Sequence, residues 1–116
     1  MLPVQSRLKR RSEFGRVYNK GRSYVTDLIV VYVLPGRGDV TKIGFSVGKK
    51  HGGAVARNRV RRVLQEATRG FVSNMKSGFS IVVVGRVKAG SATFAAISAA
   101  LQAAFTKLGV MNAGYH

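Results

Sequence analysis

Residues 54–69 read AVARNRVRRVLQEATR. Placed on a helix at about 100° per residue, Ala56, Val60, Val63, Leu64 and Ala67 gather on one side and Asn58, Arg61, Arg62, Gln65 and Arg69 on the other, with Arg57 and Arg59 flanking the apolar stripe. Apolar residues recurring at helical spacing among so many cations mark a helix anchored in a core, not a disordered basic tail. The outward side then presents guanidinium groups at fixed spacing. Arginine suits an anionic partner because its planar fork donates two hydrogen bonds to one phosphate and stays charged at any physiological pH. Glu66 is the single acid in the stretch. Like charges four residues apart, such as Arg57 and Arg61, destabilise a helix by about 0.2–0.5 kcal/mol per pair, and a polyphosphate reverses that sign. The alternative, a solvated basic face, lacks the acids that would neutralise it.

Upstream, Lys49, Lys50 and His51 extend the basic patch, and Gly48, Gly52 and Gly53 let the loop backbone approach a phosphate closely. His51 is most simply a polar loop residue.

The whole chain of 116 residues fits one domain, residues 1–116, with 46% hydrophobic residues in segregated runs that suffice for a core. Twenty Lys and Arg against four Asp and Glu give a formal charge of +16, a self-repulsion that an anionic partner relieves. Nucleic acid is the commonest such partner. A membrane surface is disfavoured because the charge runs from Arg7 to Lys107 instead of lying on one amphipathic helix, and no apolar run reaches the roughly 20 residues of a membrane span. The first residues, MLPVQSRLKRRSEF, lack the apolar stretch of a secretory signal, and the chain has no cysteine, so a reducing cytoplasm is the expected compartment.

Along the chain, Phe14, Val17 and Tyr18 recur at helical spacing between a capping Ser12 and a terminating Gly21. Leu28 to Leu34, LIVVYVL, is a β-branched strand apolar on both faces, and Pro35, Gly36, Arg37, Gly38 and Asp39 form a turn. In TKIGFSVG, Ile43, Phe45 and Val47 alternate with Lys42, Gly44 and Ser46, which predicts a strand with one core face and one open face, paired with the preceding strand as a hairpin. The basic helix follows, with Gly70 near its end. Phe79 to Gly85 is a third strand, and a last helix capped by Ser91 carries Phe94, Ile97, Leu101, Phe105 and Leu108 on one stripe before Gly109.

KKHGGAVARNRVRRVLQEATR resembles the signature of the bacterial ribonuclease P protein component, with Arg57, Asn58 and Arg59 at its Arg-Asn-Arg core, and SEFGRVYNKGRS resembles that family's first helix. The resemblance implies an α+β fold, a single-domain two-layer sandwich in αβββαβα order with a small mixed sheet and a left-handed βαβ crossover. It also implies the non-catalytic subunit of a ribonucleoprotein that removes the 5′ leader from precursor tRNA, with catalysis by the large RNA and its Mg²⁺ ions. Lys49, Lys50, Arg57, Asn58, Arg59, Arg61, Arg62 and Arg69 would face the ribonuclease P RNA. Phe14, Tyr18, Val30 and Tyr32 would line a cleft for the leader. Two positions depart from the family pattern: Gln65 stands where a basic residue is common, and Thr68 where an aromatic is frequent.

Read without the resemblance, Phe14 is a core residue, while Tyr18 and Tyr32 divide evenly between core and base stacking. The acids Glu13, Asp27, Asp39 and Glu66 are scattered, and His51 and His116 are the only histidines, so the chain is not expected to cut RNA or bind the metal by itself. Two other classes fit a small basic domain. A ribosomal protein would need no leader cleft, and a DNA regulator would need a helix-turn-helix that is not apparent, so DNA is not an expected partner.

Overall fold

Strands that are apolar on both faces belong in the middle of a sheet, and two segments of this chain meet that description. In the computed structural model, which describes residues 7–36 and 38–112, the elements are α1 (Arg11–Lys20), β1 (Arg22–Val25), β2 (Ile29–Pro35), β3 (Lys42–Val47), α2 (Ala54–Val72), β4 (Phe79–Gly85) and α3 (Phe94–Lys107). Short 3-10 turns span Lys49–His51 and Val87–Ser91. Arg37 of the Pro35–Asp39 turn, the first six residues and His116 lie outside the described residues.

The sheet order is β1-β2-β4-β3; β2 pairs antiparallel with both β1 and β4, and β3 runs parallel to β4. This corrects the expected hairpin of β2 with β3. The doubly apolar β2 and β4 take the two central places, and β3, with its alternating pattern, goes to an edge. The hairpin partner of β2 is β1, a short strand that the polar sequence RSYV conceals. Its turn is set by Thr26, whose Oγ1 accepts from the backbone N–H of Leu28 (3.2 Å) and Ile29 (3.0 Å).

Side chains of period two give the sheet two different faces. Ile29, Val31, Val33, Ile43, Ile81 and Val83 form the main core with Val60, Leu64, Ile97, Leu101 and Phe105 from α2 and α3, which completes the two-layer sandwich. Burial of that extent on a helix such as α3 contributes about 1.5–3 kcal/mol per large side chain. On the reverse face α1 covers part of the sheet: Leu8, Val17 and Val82 form a second cluster, with Phe14, Tyr32, Leu34 and Val84 packed against it.

The helix ends differ from expectation in three places. Arg10, not Ser12, precedes α1, and its backbone N–H donates to Glu13 Oε1 at 3.0 Å. Thr93, not Ser91, caps α3 by accepting from Ala96 N at 3.1 Å. Gly70 does not stop α2, which continues to Val72 because Phe71 is buried with its ring centroid 5.7 Å from that of Phe105. Phe94 is exposed, a turn ahead of Ile97 where burial of α3 begins. Among the described residues no helix is long and apolar enough to cross a membrane.

Candidate nucleic-acid interface

On α2, Val60, Leu64 and Ala67 are buried as the helical stripe requires, while Asn58, Arg59, Arg62 and Arg69 are exposed. Asn58, Arg61, Arg62 and Gln65 line one shallow groove of about 360 Å³. Within it Arg61 Nη1 donates to Asn58 Oδ1 at 2.7 Å, fixing one guanidinium plane on the helix surface. Arg69 donates to Glu66 Oε2 at 3.1 Å, and with both side chains more than half exposed (61% and 52%) the pair is worth only about 0.2–1 kcal/mol.

Arg57 flanks the apolar stripe as its spacing requires, and sits deeper than Arg59 on the other flank. It lies one turn ahead of Val60, is half-buried, and its Nε is buried without a hydrogen-bond partner. The stem and the Nε end of its guanidinium are therefore packed against the domain.

Lys49 and Lys50 are exposed on the 3-10 turn that leads into α2, and the chain reverses at Gly52, whose φ of 116° favours glycine. His51 does more than a polar loop residue. Its Nε2 lies 2.9 Å from the Gly85 carbonyl, which can only accept, so the ring donates from Nε2 and pins the basic turn to the end of β4.

The reverse face of the sheet carries the aromatic residues. Tyr32 and Val30 point to it beside Val82 and Val84, their register partners on β4. From α1, Phe14 and Tyr18 lean over this face, with ring centroids 6.5 Å apart for Phe14–Tyr18 and 5.0 Å for Tyr18–Tyr32. Phe14 is half-buried over Gly44, so the Lys42–Gly44–Ser46 face of β3 is closed at its middle. A Cβ at Gly44 would lie 2.7 Å from Phe14 Cε1 and 2.9 Å from Leu8 Cβ. Val30 and Tyr32 are half-buried and Tyr18 is 38% exposed, leaving a furrow with aromatic walls and a valine floor.

Val84, the partner of Val30 on this face, also lines a recess of about 490 Å³ with Ser46, Lys50 and Arg86. Arg86 and Lys88 escaped sequence reasoning, although a cation directly after Gly85 at a strand end was the available signal. Arg7 was missed as well. It bridges Ile43 on the edge of β3 and shares a smaller pocket of about 180 Å³ with Phe14, Arg61 and Gln65, so the flank of α2 and the start of the furrow meet around that edge. The basic helix and the furrow thus occupy opposite faces of one sheet, joined by the turn at Lys49–His51 at one end and by the β3 edge at the side.

Helix, furrow and charge define a class: a small basic α+β domain of the nucleic-acid-binding kind. The Ribonuclease P family profile matches residues 2–109. The chain is 42% identical over 88 residues to the ribonuclease P protein component of Clostridioides difficile, spanning 75% of this chain and 77% of that one. It is 34% identical over 109 residues to that of Clostridium botulinum, spanning 93% and 98%. The solved RNase P protein of Staphylococcus aureus superposes with a TM-score of 0.83 at 31% identity, covering 92% of this chain and 98% of that one.

The chain belongs to the ribonuclease P protein family, and its general role is that of a protein component of ribonuclease P, a tRNA-processing nuclease. Such a component works with the ribonuclease P RNA, and the ribosomal and DNA-regulator readings fall away.

Proposed function

We propose that the chain docks on the ribonuclease P RNA through the outward face of α2 and the adjoining basic turn, and holds the single-stranded 5′ leader of precursor tRNA in the aromatic furrow. The observation that carries this reading is the trio Phe14, Tyr18 and Tyr32, left partly open on a sheet face that opens toward Lys50 and Arg86. Apolar residues that served only folding would close over one another. Rings left accessible beside cations fit a strand whose bases stack for about 1–3 kcal/mol each while its phosphates meet positive charge.

On α2, each arginine that meets a phosphate releases condensed counterions, so affinity comes from charge and falls with salt. The side chains of this chain neutralise, orient and stack. The reading assigns Mg²⁺ to the RNA, because Glu13 and Glu66 stand on different helices and Asp27 and Asp39 in different turns, whereas phosphodiester chemistry on two ions calls for convergent carboxylates.

Reconstitution with a bacterial ribonuclease P RNA at low Mg²⁺, scored by release of a 5′ leader from precursor tRNA, tests the reading. Stimulation that grows as the leader lengthens into the furrow supports it. Equal cleavage with and without the protein contradicts it.

A further inference from the structure

The far end of the furrow holds a carboxylate that neither docking nor stacking explains. Asp27 lines the recess of about 490 Å³ together with Ser46, Lys50, Val84, Arg86 and Lys88. Three of those neighbours are cations, yet among the described residues no hydrogen bond or ion pair engages the Asp27 carboxylate.

Asp27 itself is exposed, and the backbone of the turn that carries it is held in place. Thr26 Oγ1 holds the turn by accepting from Leu28 N and Ile29 N, and Arg86 ties the turn to β4 by donating from Nη1 to the Thr26 carbonyl and from its backbone N–H to the Leu28 carbonyl, each at 2.9 Å. The Arg86 guanidinium is thereby directed at backbone and not at Asp27. An acid in a basic recess repels phosphates and weakens the charge attraction that the rest of the surface provides. A carboxylate there favours a hydrogen-bond donor over a phosphate.

The recess falls within the ~300–1,000 Å³ range of small-ligand sites. A carboxylate only accepts hydrogen bonds, so a base is recognised there by its N–H groups. Guanine presents N1–H and N2–H side by side, matching two carboxylate oxygens. Adenine and cytosine set one amino group beside a ring nitrogen that repels the second oxygen, and uracil sets one N–H between two carbonyls. Lys50 and Lys88 stand at the same recess to meet the flanking phosphates, and Val84 supplies an apolar surface for the base.

We propose that Asp27 reads the Watson–Crick edge of a guanine in the leader, which makes this recess a base-selective subsite. The inference rests on the leader-furrow reading. The test uses the holoenzyme reconstituted with a bacterial ribonuclease P RNA and precursor tRNAs that carry each of the four nucleotides in turn along the leader. At one position guanine should bind more tightly than the other three bases by on the order of tenfold. Inosine, which lacks the N2 amino group, should lose part of that preference. Asp27→Asn should bring the ratio near one at an unchanged melting temperature, with Asp27→Glu retaining part of it. A parent without guanine preference at any position, or a preference undiminished in Asp27→Asn, overturns the subsite while leader-length dependence of affinity keeps the furrow. Affinity independent of leader length in the parent removes the furrow itself.

Discussion

The ring of Tyr18 on α1 stands edge-on to the ring of Tyr32 on β2, centroids 5.0 Å apart and planes at 84°. This contact ties helix to sheet across the furrow while Tyr18 stays 38% exposed. Two rings braced in this way form a stacking surface before any base arrives, so little side-chain entropy is lost on binding.

Tyr18→Ala should therefore weaken binding of precursor tRNA by about 1–3 kcal/mol, one base stack. Stability should fall by no more than the edge-to-face pair, about 0.5–1.5 kcal/mol. Equilibrium binding to tRNA with and without a leader separates the two: the loss belongs to the leader-bearing substrate alone.

Gly44→Ala should disturb the furrow from below. The added methyl meets Phe14 and Leu8, and forcing the ring aside costs about 1–3 kcal/mol of stability. Thermal melting reads that loss, and leader affinity should drop with it because Phe14 moves.

Thr68 is fully buried on α2, and its hydroxyl finds no hydrogen-bond partner. Thr68→Val keeps the branched shape and removes the stranded polar group. Denaturant unfolding should show a gain of about 1 kcal/mol, with RNA affinity unchanged.

Glu66 sets a negative charge beside the basic face and holds Arg69 at 3.1 Å. Glu66→Gln should raise affinity for the ribonuclease P RNA at low salt, and the gain should fade as ionic strength screens it. Titrations at two salt concentrations check this.

Much of this architecture was legible in residue patterns. The stripe Val60, Leu64 and Ala67 follows from a helix period that the structure obeys, whereas in KIGFSV Ile43 and Val47 are buried as alternation requires but Gly44, on the face expected to be open, is buried too, beneath Phe14. Strand pairing was not legible, because β2 and β4 are both apolar on two faces and nothing local states which lies beside β3. β1 escaped because Arg22 and Ser23 are exposed on an edge strand, where no apolar alternation is needed. At the site, the depth of Arg57 was not legible, because helical geometry gives an angle but not how far a long side chain sinks. Asp27, Arg86 and Lys88 come together only through the tertiary meeting of the β1–β2 turn with the end of β4, which no spacing encodes.

The outward face of α2 is the centre of the account, and Arg59 and Arg62 test it most cleanly because both are exposed and neither is tied to another side chain among the described residues. The measurement is the dissociation constant for the ribonuclease P RNA across a salt series, for the parent, Arg59→Ala and Arg62→Ala. Each substitution should weaken binding and reduce the slope of log affinity against log salt by about 0.7–0.9, one phosphate contact, at an unchanged melting temperature. Affinities and slopes that match the parent for both variants would contradict it.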